Sequence, residues 1–124
     1  NTAYSDNTYG GLYCSSIDLA KFGQMLLNKG VYNGYKLFSQ QTFEKMLPKK
    51  LMIGDRSWGI GTSTVEGNGL SDKAFGHGAA SGTVFIIDPK NDLIIISARN
   101  NPGKSHDEFE SALIKLCTSL VNNQ

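Results

Sequence analysis

The chain has 124 residues, enough for one domain around one core, with 40% hydrophobic residues, 19% charged residues and a formal net charge of +1. That balance excludes a disordered tail and gives no electrostatic reason to expect a nucleic-acid partner. Fourteen glycines against three prolines suggest tight turns and close backbone approaches, and no apolar run approaches the ~18 residues of a membrane span.

The chain opens Asn1-Thr2-Ala3 without a Met, so a mature or trimmed start is expected. Residues 1–14 are polar and aromatic and include Gly10-Gly11. Ser15 and Asp18 then form an S-x-x-D capping pattern, in which the hydroxyl serves the free N–H groups of a first helical turn. Leu19, Phe22, Leu26 and Leu27 follow at helical spacing, which predicts a helix over about 16–29, stopped at Gly30. Residues 31–37 read as a small hairpin around Asn33-Gly34. Ser39 caps a helix over about 40–47, with Phe43, Met46 and Leu47 on one face and Pro48 at its end; Lys49 and Lys50 are expected in solvent.

A strand is expected over about 57–65, with Trp58, Ile60 and Thr62 on one side and Gly59 and Gly61 on the other. After the Gly67-Asn68-Gly69 turn come strands over about 73–79 and 83–88, joined by a tight turn at Ala80-Ser81-Gly82. Beyond the Pro89–Asp92 turn a return strand covers about 93–99. Ser105 and Glu108 suggest a capping box for a last helix over about 105–121, with Phe109, Ala112, Leu113, Leu116 and Leu120 as its apolar stripe.

Two strands carry unbroken apolar runs, Val84-Phe85-Ile86-Ile87 and Leu93-Ile94-Ile95-Ile96. Strand side chains alternate faces, so both faces of this hairpin need cover. The last helix suits one face; the first helices, or a part of a larger protein, suit the other. The pattern is α+β, an antiparallel sheet flanked by helices.

Most polar residues have structural readings. Cys14 and Cys117 match no metal or CxxC spacing and are expected as buried small hydrophobes rather than a disulfide. His77 and His106, 29 positions apart, make no metal motif, and there is no P-loop and no GxSxG elbow. No metal and no cofactor are therefore expected. The exceptional segment is Phe75-Gly76-His77-Gly78-Ala79-Ala80-Ser81-Gly82-Thr83, where six of nine residues are small. A strand edge without side chains lets a ligand lie against the backbone, whose N–H groups then stabilise an oxyanion, with His77 close by. The plainer alternative is close packing against a helix, with His77 a half-buried structural residue.

Here the sequence resembles a family. Gly10-Gly11-Leu12-Tyr13-Cys14-Ser15-Ser16-Ile17-Asp18-Leu19-Ala20-Lys21-Phe22, continuing to Leu26-Leu27-Asn28-Lys29-Gly30, looks like the GGLYST-x-x-DLA-x-F-x-x-x-LLN-x-G segment of β-lactamase-related serine hydrolases. These include class C β-lactamases, D-Ala-D-Ala peptidases and family VIII esterases. Trp58-Gly59-Ile60-Gly61 resembles their YGLGW strand, Gly76 to Thr83 their GHGGASGT segment and Asp88 to Leu93 their DPENDL turn, with a capped final helix expected as well. The order and spacing of all five agree, and the resemblance covers the chain from about Gly10 onward.

The resemblance implies a fold, the C-terminal portion of a β-lactamase/transpeptidase-like fold, held in one partial domain over 1–124. It also implies residue roles. His77-Gly78-Ala79 aligns with the third active-site motif, Lys-Thr-Gly or His-x-Gly in the family. His77 takes the cationic or hydrogen-bonding place beside the nucleophile. Gly78 stands where a Thr often binds a substrate carboxylate, and Ala79 replaces a Gly, which crowds the strand. Ala80 supplies one N–H of the oxyanion hole, beside Ser81, and Asn100 falls at the cleft rim. By the same resemblance the compartment is periplasmic or extracytoplasmic.

The other two motifs are missing. None of the ten lysines has a Ser three positions before it, so the Ser-x-x-Lys nucleophile is absent; Thr42-Phe43-Glu44-Lys45 is only an imitation. Tyr4-Ser5-Asp6-Asn7 imitates Tyr-x-Asn but lies too close to Gly10-Gly11. The expected partner is therefore an N-terminal part of the same enzyme carrying the nucleophile. The expected substrate is a β-lactam, a D-Ala-D-Ala peptide or an ester. Two alternatives stand beside this: a non-catalytic module that binds cell-wall peptide, and a structural domain that self-associates as a homo-oligomer.

Overall fold

The computed structural model describes residues 13–53 and 56–122. Gly10, Gly11 and Leu12 of the first family segment, and the Tyr4–Asn7 imitation, lie outside them. The order of elements is α1 (Ser16–Leu27), β1 (Val31–Tyr32), β2 (Tyr35–Lys36), α2 (Gln40–Met46), β3 (Lys49–Ile53), β4 (Arg56–Trp58), β5 (Ser63–Thr64), β6 (Phe75–Gly78), β7 (Val84–Asp88), β8 (Leu93–Ser97) and α3 (His106–Asn122). Strands β3 to β8 form one six-stranded sheet in chain order, an antiparallel meander, and β1–β2 form a separate hairpin.

The caps of the first two helices act as the sequence implies, whereas the expected Ser105/Glu108 box does not form at α3 among the described residues, where only the Phe109 N–H reaches the Ser105 carbonyl, at 3.0 Å. The Asp18 N–H donates to Ser15 Oγ at 3.1 Å and the Thr42 N–H to Ser39 Oγ at 3.1 Å, which starts α1 and α2. α1 ends in a Schellman arrangement: the Gly30 N–H donates to the Met25 carbonyl at 2.8 Å and the Lys29 N–H to that of Leu26 at 3.0 Å. The first left-handed residue is Lys29, φ 56°, so the helix stops at Leu27, short of the predicted end. Gly30 is required as well, because a Cβ there would sit 2.6 Å from the Phe38 carbonyl oxygen. Asn33 and Gly34 take φ of 48° and 81°, the type I′ geometry that suits a two-residue hairpin turn.

The two faces of the sheet carry separate cores. Phe85 and Ile87 of β7 pack with Phe75 of β6 against Met25 and Leu26 of α1 and Phe43 of α2. Val84 and Ile86, the alternate residues, pack with Ile95 against Ile114 of α3. The apolar run in β7 is thus shared between α1/α2 on one side and α3 on the other. Full burial of each such side chain contributes ~1.5–3 kcal/mol.

Several expectations are corrected. The single strand over 57–65 is two short strands, with Trp58 opposite Ser63. Between them the Gly59 N–H closes on the Thr62 carbonyl at 2.8 Å, and Gly61 takes φ 73°. A Cβ on Gly59 would meet the Met46 carbonyl oxygen at 2.3 Å, so this turn is pinned to the end of α2 and Trp58, Ile60 and Thr62 do not share a strand face. Lys49 and Lys50 open β3, an element not expected there, and Lys49 is exposed as expected. The stripe expected on α3 is turned outward in part. Leu116 and Leu120 are 59% and 64% exposed, while Ile114 and Thr118 are buried. The helix turns Leu113, Ile114 and Cys117 toward the sheet, and on the same side Thr118 Oγ1 donates to the Asn68 carbonyl at 2.7 Å. Cys14 is exposed rather than buried, because it lies before the cap of α1; Cys117 is half-buried, and both are free.

Candidate active-site strand

β6 lies between β5 and β7, but its two neighbours differ in length. Against β7 it pairs along its whole length, with Phe75, Gly76, His77 and Gly78 opposite Ile87, Ile86, Phe85 and Val84. Against β5 it pairs only at Phe75 and Gly76, opposite Thr64 and Ser63. From His77 onward the β5-side edge of β6 is unpaired among the described residues. The Ala79 N–H donates to the Thr83 carbonyl at 3.1 Å, on the β7 side. Antiparallel alternation then turns the backbone groups of Gly78 toward the open side.

The Gly82 N–H donates to the Ala79 carbonyl at 2.8 Å, which closes a four-residue turn with Ala80 at its second position. Among the described residues the Ala80 N–H has no hydrogen-bond partner. The turn is supported from below. Gly82 takes φ 82°, and a Cβ there would lie 2.7 Å from Pro102 Cα and 3.3 Å from His106 Nδ1. Ser81 and Thr83 hydroxyls lie 3.1 Å apart, and Thr83 Oγ1 donates to the Arg99 carbonyl at 3.5 Å.

The predicted site residues divide accordingly. His77, Gly78, Ala79 and Ala80 are exposed along the end of the strand and its turn. Ala79 keeps its ladder bond to Thr83, so its methyl does not break the strand. Ser81 is half-buried with its hydroxyl turned to Thr83, which makes it part of the turn's framework. Asn100 is exposed in the loop after β8, the loop whose Pro102 carries the turn. Pro102 and His106 were not assigned to the site by sequence, and Thr83 entered only as the end of the small-residue segment; the buried, positive-φ Gly82 is the signal that something packs there.

Two clefts flank the strand, and His77 borders both. One, about 250 Å³, is apolar, between Leu26, Phe43, Met46, Phe75 and Phe85 on the α1 side. The other, about 690 Å³, lies over Gly76 and Gly78 on the α3 side, with Glu66, Asp107 and Glu110 among its walls. Gly76 is needed for close approach, since a Cβ would meet the Phe85 carbonyl oxygen at 2.2 Å; Gly78 opens on space, with its nearest neighbour at 3.9 Å. Among the described residues no three His, Cys, Asp or Glu side chains converge as metal ligands, and no helix is long and apolar enough to cross a membrane.

No family model matches the chain. It is 29% identical over 126 residues to a protein of Escherichia coli O157:H7 named "Putative D-alanyl-D-alanine carboxypeptidase", a match covering 89% of this chain and 28% of that protein. A protein of the same name from Salmonella newport (strain SL254) is 31% identical over 106 residues, covering 76% and 23%. Among solved structures, a "Putative 6-aminohexanoate-dimer hydrolase from Bacillus anthracis" superposes with TM-score 0.72 and 26% identity over 90% of this chain and 30% of that one. A penicillin-binding protein homolog from Caulobacter crescentus shares the fold, with TM-score 0.68 and 23% identity over 82% and 30%. The chain spans less than a third of the length of each of these proteins. The chain thus has a β-lactamase/transpeptidase-like fold, of which it carries the C-terminal portion.

Proposed function

We propose that this chain supplies the third active-site strand and half of the oxyanion hole to a serine acyl-transfer enzyme whose nucleophile lies outside these 124 residues. The observation that carries the proposal is the unpaired β5-side edge of β6 beyond Gly76, which leads into the free Ala80 N–H. An extended substrate lies along that edge, its scissile carbonyl oxygen at the Ala80 N–H. When the nucleophile adds, the carbonyl oxygen becomes an oxyanion, and the preorganised N–H stabilises charge that the ground state lacks. His77, exposed beside this edge, donates a hydrogen bond to the acyl or leaving group.

The relatives' names favour a D-alanyl-D-alanine peptide as substrate, with a β-lactam or an ester as the other acyl donors that the same parts accept. Gly78 offers no hydroxyl for a substrate carboxylate, which favours, as a second reading, a groove that binds cell-wall peptide without turnover. Reaction with a fluorescent penicillin or a fluorophosphonate separates the two. The proposed enzyme is unlabelled as the 124-residue chain and labelled once the coding sequence upstream of Asn1 is restored. Saturable peptide binding without labelling of that longer protein would establish the second reading.

A further inference from the structure

We infer that Arg99 is a positioning residue for the turn that presents the Ala80 N–H, acting through Pro102 and Phe109. The inference deepens the proposed function and rests on it for its catalytic meaning, but its geometry stands independently. The Arg99 guanidinium lies over the Phe109 ring, 4.3 Å from its centroid, and Nη1 donates to the Pro102 carbonyl at 3.3 Å. Pro102 is the residue against which Gly82 is pressed, at 2.7 Å from a Cβ placed there. The Arg99 carbonyl accepts from Thr83 Oγ1, so the same residue holds the turn's other limb.

A single residue thus ties three segments together: its side chain joins the first turns of α3 to the loop after β8, where Pro102 meets Gly82, and its backbone carbonyl holds Thr83 of the β6–β7 connection. The planar guanidinium both stacks and donates in a fixed direction, which an ammonium does not reproduce. This also accounts for Phe109. It is 39% exposed and outside the buried cores, yet its ring serves as the platform for Arg99. Arg99 does not touch substrate in this arrangement; it sets where the Ala80 N–H stands, and an oxyanion donor is effective only when held close to its productive position.

The test is amide hydrogen exchange on the 124-residue chain. Arg99→Met is expected to speed exchange at the Gly82 N–H by about tenfold, while Ile86 and Ile95 amides in β7 and β8 change by less than about twofold. Phe109→Leu, which keeps apolar volume but removes the ring face, is expected to act in the same direction, and Arg99→Lys to fall between Met and wild type. Unchanged Gly82 exchange, or equal loss of protection at Gly82, Ile86 and Ile95, would overturn the inference. In the upstream-restored protein Arg99→Met lowers the rate constant for covalent labelling and leaves the affinity for the reagent unchanged. A wild-type protein that is never labelled counts against the proposed function, and the exchange data still decide on Arg99.

Discussion

His77 stands directly opposite Phe85 in the β6–β7 ladder, so its imidazole projects on the face that holds Phe75 and Ile87, above α1 and α2. It lies on the strand's exposed end, where the same face opens into the apolar cleft. His77→Ala is therefore expected to change the stability of the chain by less than about 0.5 kcal/mol. In the upstream-restored protein it is expected to slow covalent labelling by about 100-fold. Urea unfolding and stopped-flow labelling check the two halves separately.

Asp88, fully buried at the end of β7, accepts from the Ser71 N–H at 2.8 Å, the Asn91 side-chain amide at 2.8 Å and the Lys90 N–H at 3.3 Å, and also from the Ser71 hydroxyl. It fastens the loop before β6 to the β7–β8 turn. Asp88→Ala strands these donors and is expected to cost about 2–3 kcal/mol. Urea denaturation measures it; a change below about 0.5 kcal/mol would show that solvent satisfies the donors instead.

Gly82 and Gly34 have nearly the same backbone angle, φ 82° and 81°, but only Gly82 is pressed on a neighbour. Alanine at Gly34 meets open space and incurs backbone strain of about 1–2 kcal/mol. Alanine at Gly82 adds the clash with Pro102, and the difference between the two variants is expected to reach about 1–3 kcal/mol. Equal melting temperatures for the two would mean that the turn does not rest on Pro102.

The Asp18 carboxyl is held below the ordinary carboxylate range, first by the Ser15 hydroxyl and then by Lys21, whose ammonium it raises in turn. The folded state thus binds this proton less readily than the unfolded chain does. The cap's contribution is present above the unfolded value, near pH 4, and is lost as pH falls through the lower folded value. Ser15→Ala and Lys21→Met are each expected to move the Asp18 midpoint upward in an NMR titration; an unmoved midpoint in both would contradict the assigned causes.

Much of the fold was legible because local signals and tertiary needs coincide. Ser15 and Ser39 cap where helices start, Asn33-Gly34 turns where a hairpin is needed, and the doubly apolar β7 required helices on both faces. The break at Gly59–Thr62 was not legible, since alternation continues through it and only contact with the end of α2 reveals the turn. Nor was the rotation of α3, because Ile114 and Cys117 lie beside the Leu113–Leu116–Leu120 row and only packing against the sheet shows that they face inward. Within the site, the run of small residues marked the strand, while the role proposed for Ala80 comes from the family resemblance. Pro102 and Arg99 were not legible, because their part depends on Pro102 meeting Gly82, 20 positions earlier in the chain, and on Arg99 stacking over Phe109 of the next helix.

Removing a single N–H is the most direct measurement on the oxyanion strand. Ala80 occupies the second position of the turn closed by Gly82, a place where proline is accepted without rearranging the turn. Ala80→Pro therefore deletes the donor, and Ala80→Gly keeps it. In the upstream-restored protein, fluorophosphonate labelling of Ala80→Pro is expected to slow by about 100–1,000-fold, with Ala80→Gly near wild type. Labelling of Ala80→Pro at the wild-type rate would contradict the assignment of the Ala80 N–H to the oxyanion hole.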